Sequence, residues 1–207
     1  MKTKKTIVPN LRFSSYIDSW KLCKLIDVSK YTKGFAFKSI DYCGRGIRIV
    51  RVSDLNFDKI KHDNEIIYIS DNVSEKYKDY LIRSGNIIIT TVGSKPDLVE
   101  SAVGRGIFVR GNNEGFLNQN LLKFENLENI DNGFIFCLLS TIKYRAHIKK
   151  IARGNANQAN ITVVDLLNFE LAIPSFKEQQ KIASFLSAID EKIQHLTRKK
   201  ELLEQYK

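Results

Sequence analysis

"GNANQANITVVDLLNFELAIPSFKEQQKIASFL", Gly154 to Leu186, is the stretch whose reading decides the fold. Three of its first six residues carry amide side chains, Arg153 stands just before them, and the stretch ends as an amphipathic helix. Pro174 followed by Ser175 and Glu178 spells an S-x-x-E capping box, in which the serine hydroxyl and glutamate carboxylate satisfy backbone donors at a helix start. Beyond it Ile182, Leu186, Ile189, Ile193, Leu196 and Leu203 fall on alternating steps of four and three, with Lys200 on the same seam. That is the 3.5-residue period of a left-handed coiled coil. A helix from about Phe176 to Lys207 would run about 48 Å at 1.5 Å per residue. So small a domain cannot cover such a stripe along its length, so the spacing predicts a partner helix.

Upstream, from Trp20 to Ile173, the pattern changes to short β-like runs broken by Gly, Asn and Asp: "GIRIVRV" (46–52), "NEIIYIS" (64–70), "GNIIITTV" (85–92), "GIFVR" (106–110) and "NLLKFE" (120–125). Two helical insertions are expected among them. One is "SEKYKDYLI" (74–82); the other is "NGFIFCLLSTIKYRAHIKKIA" (132–152), where Phe136, Leu139, Ile142, Ala146 and Ile148 roughly keep helical spacing. The class is therefore α+β: a β-rich domain with helical insertions over 1–173, then a long coiled-coil-type helix over 174–207.

The whole chain has 207 residues, 43% of them apolar, enough to bury one substantial core. No run approaches the length that spans a bilayer, and the basic start "MKTKKTIVPNLRF" lacks an apolar signal core, so the expected location is cytoplasmic, with no membrane partner. Cys23, Cys43 and Cys137 are an odd number at wide spacing, which fits neither a disulfide framework nor a zinc site. The net charge is +10. Between Pro174 and Lys207 seven Lys or Arg face five Asp or Glu, which leaves eight of the surplus charges on residues 1–173. A basic surplus concentrated on the globular part favours a polyanion, and nucleic acid is the common one.

Catalytic signatures are missing. Pro96-Asp97 is not followed by the E-x-K of a metal-dependent nuclease, and the isolated Pro9, Pro96 and Pro174 cannot supply the N-P-P-Y loop of a base methyltransferase. "CGRGIR" and "VGRGIF" do not continue as GxGxxG, no GxxxxGK[ST] occurs, and His62, His147 and His195 share no metal spacing. No cofactor and no metal are expected. What the chain does contain is base-reading chemistry, because Arg bridges guanine O6 and N7, Asn or Gln pairs with adenine N6 and N7, and Ser or Thr serves either. Four clusters hold such groups: "RIVRVSDL" (Arg48, Arg51, Ser53, Asp54), "TTVGSK" (Thr90, Thr91, Ser94, Lys95), "FLNQN" (Asn118, Gln119, Asn120) and "ARGNANQAN" (Arg153, Asn155, Asn157, Gln158, Asn160). Asn and Asp also favour turns for local reasons, so the recurrence of the pattern in a basic domain, and not any one cluster, carries the reading.

The order of "PNLRFSSYIDSWKLCKLIDV", "KGFAF", "IRIVRVSDL", "GNIIITTVGS", "FLNQNLLKF", "ANQANITVVDLLNFELAIPSFKEQQKIASFLSAIDEKI" and "LLEQYK" resembles the specificity subunit of Type I restriction-modification systems, almost end to end. The resemblance implies a non-catalytic target recognition domain that reads one half of a split double-stranded DNA site. It implies a helical spacer to which the modification (methyltransferase) subunit docks, with a restriction subunit in the full complex. Lys33, which opens "KGFAF", and Arg105, in "VGRGIF", join the expected DNA-binding set. Family members carry two recognition domains and two spacers, and this sequence has one of each, which raises a homodimer through the terminal helix as one way to restore the pair. A generic DNA-binding adaptor of a related system and a cryptic nuclease are the rival readings; only the latter would nick DNA with magnesium.

Overall fold

The computed structural model describes residues 6–56, 59–96, 103–125, 127–155 and 158–206. In chain order its strands are β1 (Thr6–Ile7), β2 (Trp20–Lys24), β3 (Lys30–Lys33), β4 (Tyr42–Cys43), β5 (Ile47–Val50), β6 (Ile67–Ile69), β7 (Leu81–Ile82), β8 (Ile87–Thr90), β9 (Val92–Gly93), β10 (Gly106–Phe108), β11 (Gly115–Leu117) and β12 (Leu121–Glu125). The helices α1 (Asn132–Leu139) and α2 (Ile142–Ile151) follow, then β13 (Arg153–Gly154), β14 (Ala159–Asn160), α3 (Val163–Leu167), β15 (Glu170–Ile173) and α4 (Phe176–Glu204). The fold is α+β, as the sequence pattern predicts.

Side-chain alternation explains how these strands stack. Ile87 and Ile89 of β8, with Leu122 and Phe124 of β12, join a core that α1, α2 and α3 cover. Ile88 and Leu121, one residue out of step, join a second core with Val50, Ile82, Ile107 and Leu117. The four-stranded sheet β10-β8-β12-β3 is thus covered on both faces, which is why β8 reads as an unbroken apolar run. The second core lies between it and the five-stranded sheet β4-β6-β5-β11-β7, in which β5 and β11 run parallel. Behind that sheet Phe37, Tyr77 and Phe116 close an aromatic cluster with Ile49 and Ile69. Lys123 of β12 is wholly buried and donates to the carbonyls of Asp79 (2.8 Å) and Leu81 (2.9 Å), and it pairs with Glu125 at 3.2 Å. Burial holds its amine below the usual lysine pKa, with Glu125 opposing.

Three local expectations are corrected. The helix expected over 132–152 is two helices. At the break Thr141 caps α2 by accepting from the Tyr144 amide (3.2 Å) while donating to the Leu138 carbonyl (2.7 Å), so Ile142 is 84% exposed and Ala146 is exposed too. The segment 74–82 is a 3-10 turn over Glu75–Tyr80 leading into β7. The helix α4 begins where the proline and serine place it, but Ser175 makes no side-chain cap bond and Glu178 does not turn back to it. Among the described residues no helix is long and apolar enough to cross a membrane.

Candidate nucleic-acid interface

Backbone hydrogen bonds bring four sequence-distant segments to one end of the sheets. Asn160 pairs with Val92 and Ala159 with Gly93, while Arg153 pairs with Asn160 on the other side, so the Asn-Gln loop hangs from the strand that carries "TTVGSK". The Ile161 amide donates to the Thr91 carbonyl (3.0 Å), and the Thr91 amide and hydroxyl both donate to the Asn120 carbonyl (2.9 and 3.0 Å). That joins "FLNQN" to "TTVGSK" and the Asn-Gln loop. The Asn118 amide then donates to the Val50 carbonyl, at the end of β5 from which "RVSDL" departs. Lys33 is adjacent, because the Gly34 amide donates to the Leu121 carbonyl and the next amide, of Phe35, to that of Leu117. Only glycine fits at 34, where a Cβ would lie 1.8 Å from the Asn118 carbonyl oxygen. Arg105 completes the set: its carbonyl accepts from the Thr90 amide (3.0 Å), and its amide donates to the Thr90 hydroxyl (3.1 Å).

On this frame the expected residues divide by exposure. Lys33, Lys95, Gln119, Arg153, Asn155, Gln158 and Asn160 are exposed, and Ser94, Arg105 and Asn118 are half-buried. Asn118 accepts the Gln119 amide (2.6 Å) and Asn155 the Gln158 amide (2.9 Å) through their side chains, so both shape the loops that present their neighbours. Gly154 turns the Asn-Gln loop with φ +107°, and a Cβ there would lie 2.3 Å from the Gln158 carbonyl oxygen. Arg153 is held by Asp165 at 2.9 Å, whose carboxylate also accepts from the Thr162 hydroxyl. Asn157 lies outside the described residues.

Four expected base readers are instead taken up inside the protein. Thr91 is buried, its hydroxyl committed to Asn120 as above. Asp54 is wholly buried and accepts from the Arg51 backbone and guanidinium and from the Asn64 amide group (2.7 Å). Burial pushes its carboxyl pKa up, but the Arg51 and Asn64 hydrogen bonds outweigh this and hold it below the usual value. Arg51 also donates from Nη2 to the Glu65 carbonyl (2.8 Å), while the exposed Ser53 sits on the same turn. Arg48 is buried; one guanidinium nitrogen faces Nδ1 of His62 at 3.3 Å. Arginine only donates, so His62 accepts at Nδ1 and its Nε2–H points to Glu114, 3.3 Å away. Among the described residues there is no cluster of three or more His, Cys, Asp or Glu able to hold a metal ion.

The terminal helix is attached through Glu178, which the sequence pattern offered only as a cap, and through Arg12, Trp20 and Gln179, which it did not single out. Arg12 donates from Nε and Nη2 to the two oxygens of Glu178, both at 2.7 Å, and the Trp20 indole donates to Glu178 at 3.3 Å. Gln179 accepts from the Asp131 amide (2.9 Å) and donates to the carbonyls of Pro174 and Asn129. Glu178 and Gln179 are both buried. A cue was present in "KEQQ", where polar residues fall on the inner side of the first turn, but their partners lie up to 166 residues away. Ile182 packs with Ala183 on the helical core, whereas Leu186, Ile189, Ile193, Leu196 and Leu203 are 37–60% exposed and Lys200 is exposed beside Glu204.

A family model described as "Type I restriction modification DNA specificity domain" matches residues 17–205. A curated relative, the Type I restriction enzyme MjaVIII specificity subunit of Methanocaldococcus jannaschii, is 26% identical over 191 residues, 92% of this chain and 44% of that protein. Two solved structures share the fold at 18% identity. The Type-I restriction-modification S subunit from M. genitalium has a TM-score of 0.58 over 93% of this chain and 44% of its own. A structure described as the basis of complex assembly and conformational transition of the type I R-M system gives 0.61 over 86% and 40%. The chain spans less than half the length of these proteins.

Proposed function

The chain belongs to the Type I restriction modification DNA specificity family, and on that premise we propose that it is a non-catalytic reader of one half of a bipartite site in double-stranded DNA. The observation that carries this reading is the convergence of Lys33, Lys95, Gln119, Arg153, Gln158 and Asn160, exposed on loops whose backbones are bonded to one another. Loops fixed in this way present amide and guanidinium groups to base edges with little left to order on binding. Residues 1–173 form the reading unit and 174–207 the spacer.

The spacer's occupant is a second copy of the chain. Aligned antiparallel, the stripe matches itself: Leu186 opposes Leu203, Ile189 opposes Lys200, and Ile193 opposes Leu196. A parallel pair would set Lys200 against its equivalent, like charge on like. Such a dimer supplies two reading units about a twofold axis and a surface to which the modification and restriction subunits dock. The reading is tested by selecting bound duplexes from a randomised pool and measuring affinity for the enriched site. Arg153→Ala or Gln158→Ala should weaken that site by about 1–3 kcal/mol while leaving mixed-sequence DNA nearly unchanged. A pool that yields no enriched sequence overturns it.

A further inference from the structure

From Asn132 to Val164 the chain contains no Asp or Glu, while it carries Lys143, Arg145, Lys149, Lys150 and Arg153. Four of these five cations stand on α2. The helix turns Tyr144 and Ile148 inward, both buried, and leaves Lys143, Arg145, Ala146, Lys149 and Lys150 exposed. At 100° per residue Arg145 and Lys149 form one ridge about 100° round from the buried pair Tyr144 and Ile148, with the small Ala146 on its outer side, and stand about 6 Å apart along the axis at 1.5 Å per residue.

Two contacts fix this helix against the candidate interface. The Tyr144 hydroxyl donates to the Gly104 carbonyl at 2.8 Å, and Ile148 fills the space above Gly104, where a Cβ would lie 2.7 Å from it. One side of α2 therefore sits on the turn that carries Arg105, and its last residue is followed, one residue on, by Arg153 at the start of the Asn-Gln loop.

We infer that the exposed flank of α2 formed by Arg145 and Lys149 is a phosphate rail that grips the duplex backbone beside the base-reading loops. The inference rests on the reading of the chain as a DNA binder. Lys149 and Lys150 also stand in the last turn of α2, where cations complement the helix dipole. That role affects stability and leaves the salt dependence of binding untouched, so the two roles separate in one experiment.

The full chain is titrated with a mixed-sequence duplex and with its selected site over a range of salt. Arg145→Gln/Lys149→Gln should weaken both duplexes equally and reduce the slope of log K against log salt by about 1.8, or about 0.9 per phosphate contact. The charge-conserving Arg145→Lys/Lys149→Arg should keep the wild-type slope and guards against a folding defect in the first variant. An unchanged slope in a folded Gln variant overturns the rail. Loss confined to the selected site overturns it too, since it would make these residues base readers. A chain that selects no sequence but shows the slope change keeps the rail and loses the specific reading; one that binds no duplex loses both.

Discussion

Helix α4 buries polar side chains at its root and exposes apolar ones along its length. Glu178 and Gln179 are enclosed at the root with hydrogen bonds from three parts of the chain, while Ile193, Leu196 and Leu203 farther out are more than half exposed. Burial alone thus misidentifies both ends. A buried carboxylate is tolerable only with its oxygens satisfied, and then it defines one geometry, because few alternative arrangements supply a bidentate guanidinium and an indole donor together. An exposed apolar stripe has the opposite meaning. Its period persists where its own domain no longer covers it, and it is there that the proposed second copy would lie.

The largest effect expected from this contrast is on assembly. Ile189→Glu/Ile193→Glu should convert a dimer into a monomer in light scattering while leaving the melting temperature nearly unchanged. A wild-type monomer, or a variant that stays dimeric, breaks the assignment of the stripe to a second copy. At the root the expectation inverts. Glu178→Leu should lower unfolding free energy in urea by about 3–5 kcal/mol, because Arg12 and the Trp20 indole lose their acceptor in a covered site; wild-type stability would mean the clamp is dispensable.

The smallest effect asks whether buried polar anchoring behaves alike elsewhere. Asp54→Asn should cost about 1–3 kcal/mol at neutral pH. The native Asp54 carboxyl lies below its ordinary value of 3.8, so its stabilisation is fully present above about pH 4 and is lost as pH falls through the lower native pKa. The gap between wild type and variant should therefore be constant from neutral pH down to about 4 and close below it. A gap that persists in acid would assign it to packing rather than charge.

The strands were legible because alternation and apolar runs are local: "NIIIT" and "NLLKFE" fall on β8 and β12. The start of α4 was legible from Pro174 and Ser175 for the same reason. What the sequence hid is non-local. An S-x-x-E pattern looks the same whether Glu178 caps its own helix or reaches Arg12, and "RVSDL" looks the same whether Asp54 faces a base or Asn64. The break between α1 and α2 was obscured because apolar spacing continues across it, and only the two bonds of Thr141 decide the matter. The residue types proposed to read bases are visible in the sequence itself. Their convergence is not, since it depends on registers such as Asn160 with Val92.

That convergence is built from main-chain groups: Ile161 to Thr91, Thr91 to Asn120, Leu121 to Asn118. The frame therefore places few demands on the identity of the side chains it displays. Gln119, Gln158 and Asn160 can be exchanged during evolution, or randomised in a library, with the loops still closed beneath them. Glycine at 34 and 154 is not exchangeable in that sense, since any side chain would strike a neighbouring carbonyl. If these residues read DNA as proposed, heritable change in what is recognised is uncoupled from the risk of unfolding, and a lineage would acquire a new target by drift at a few positions while its architecture stays under selection.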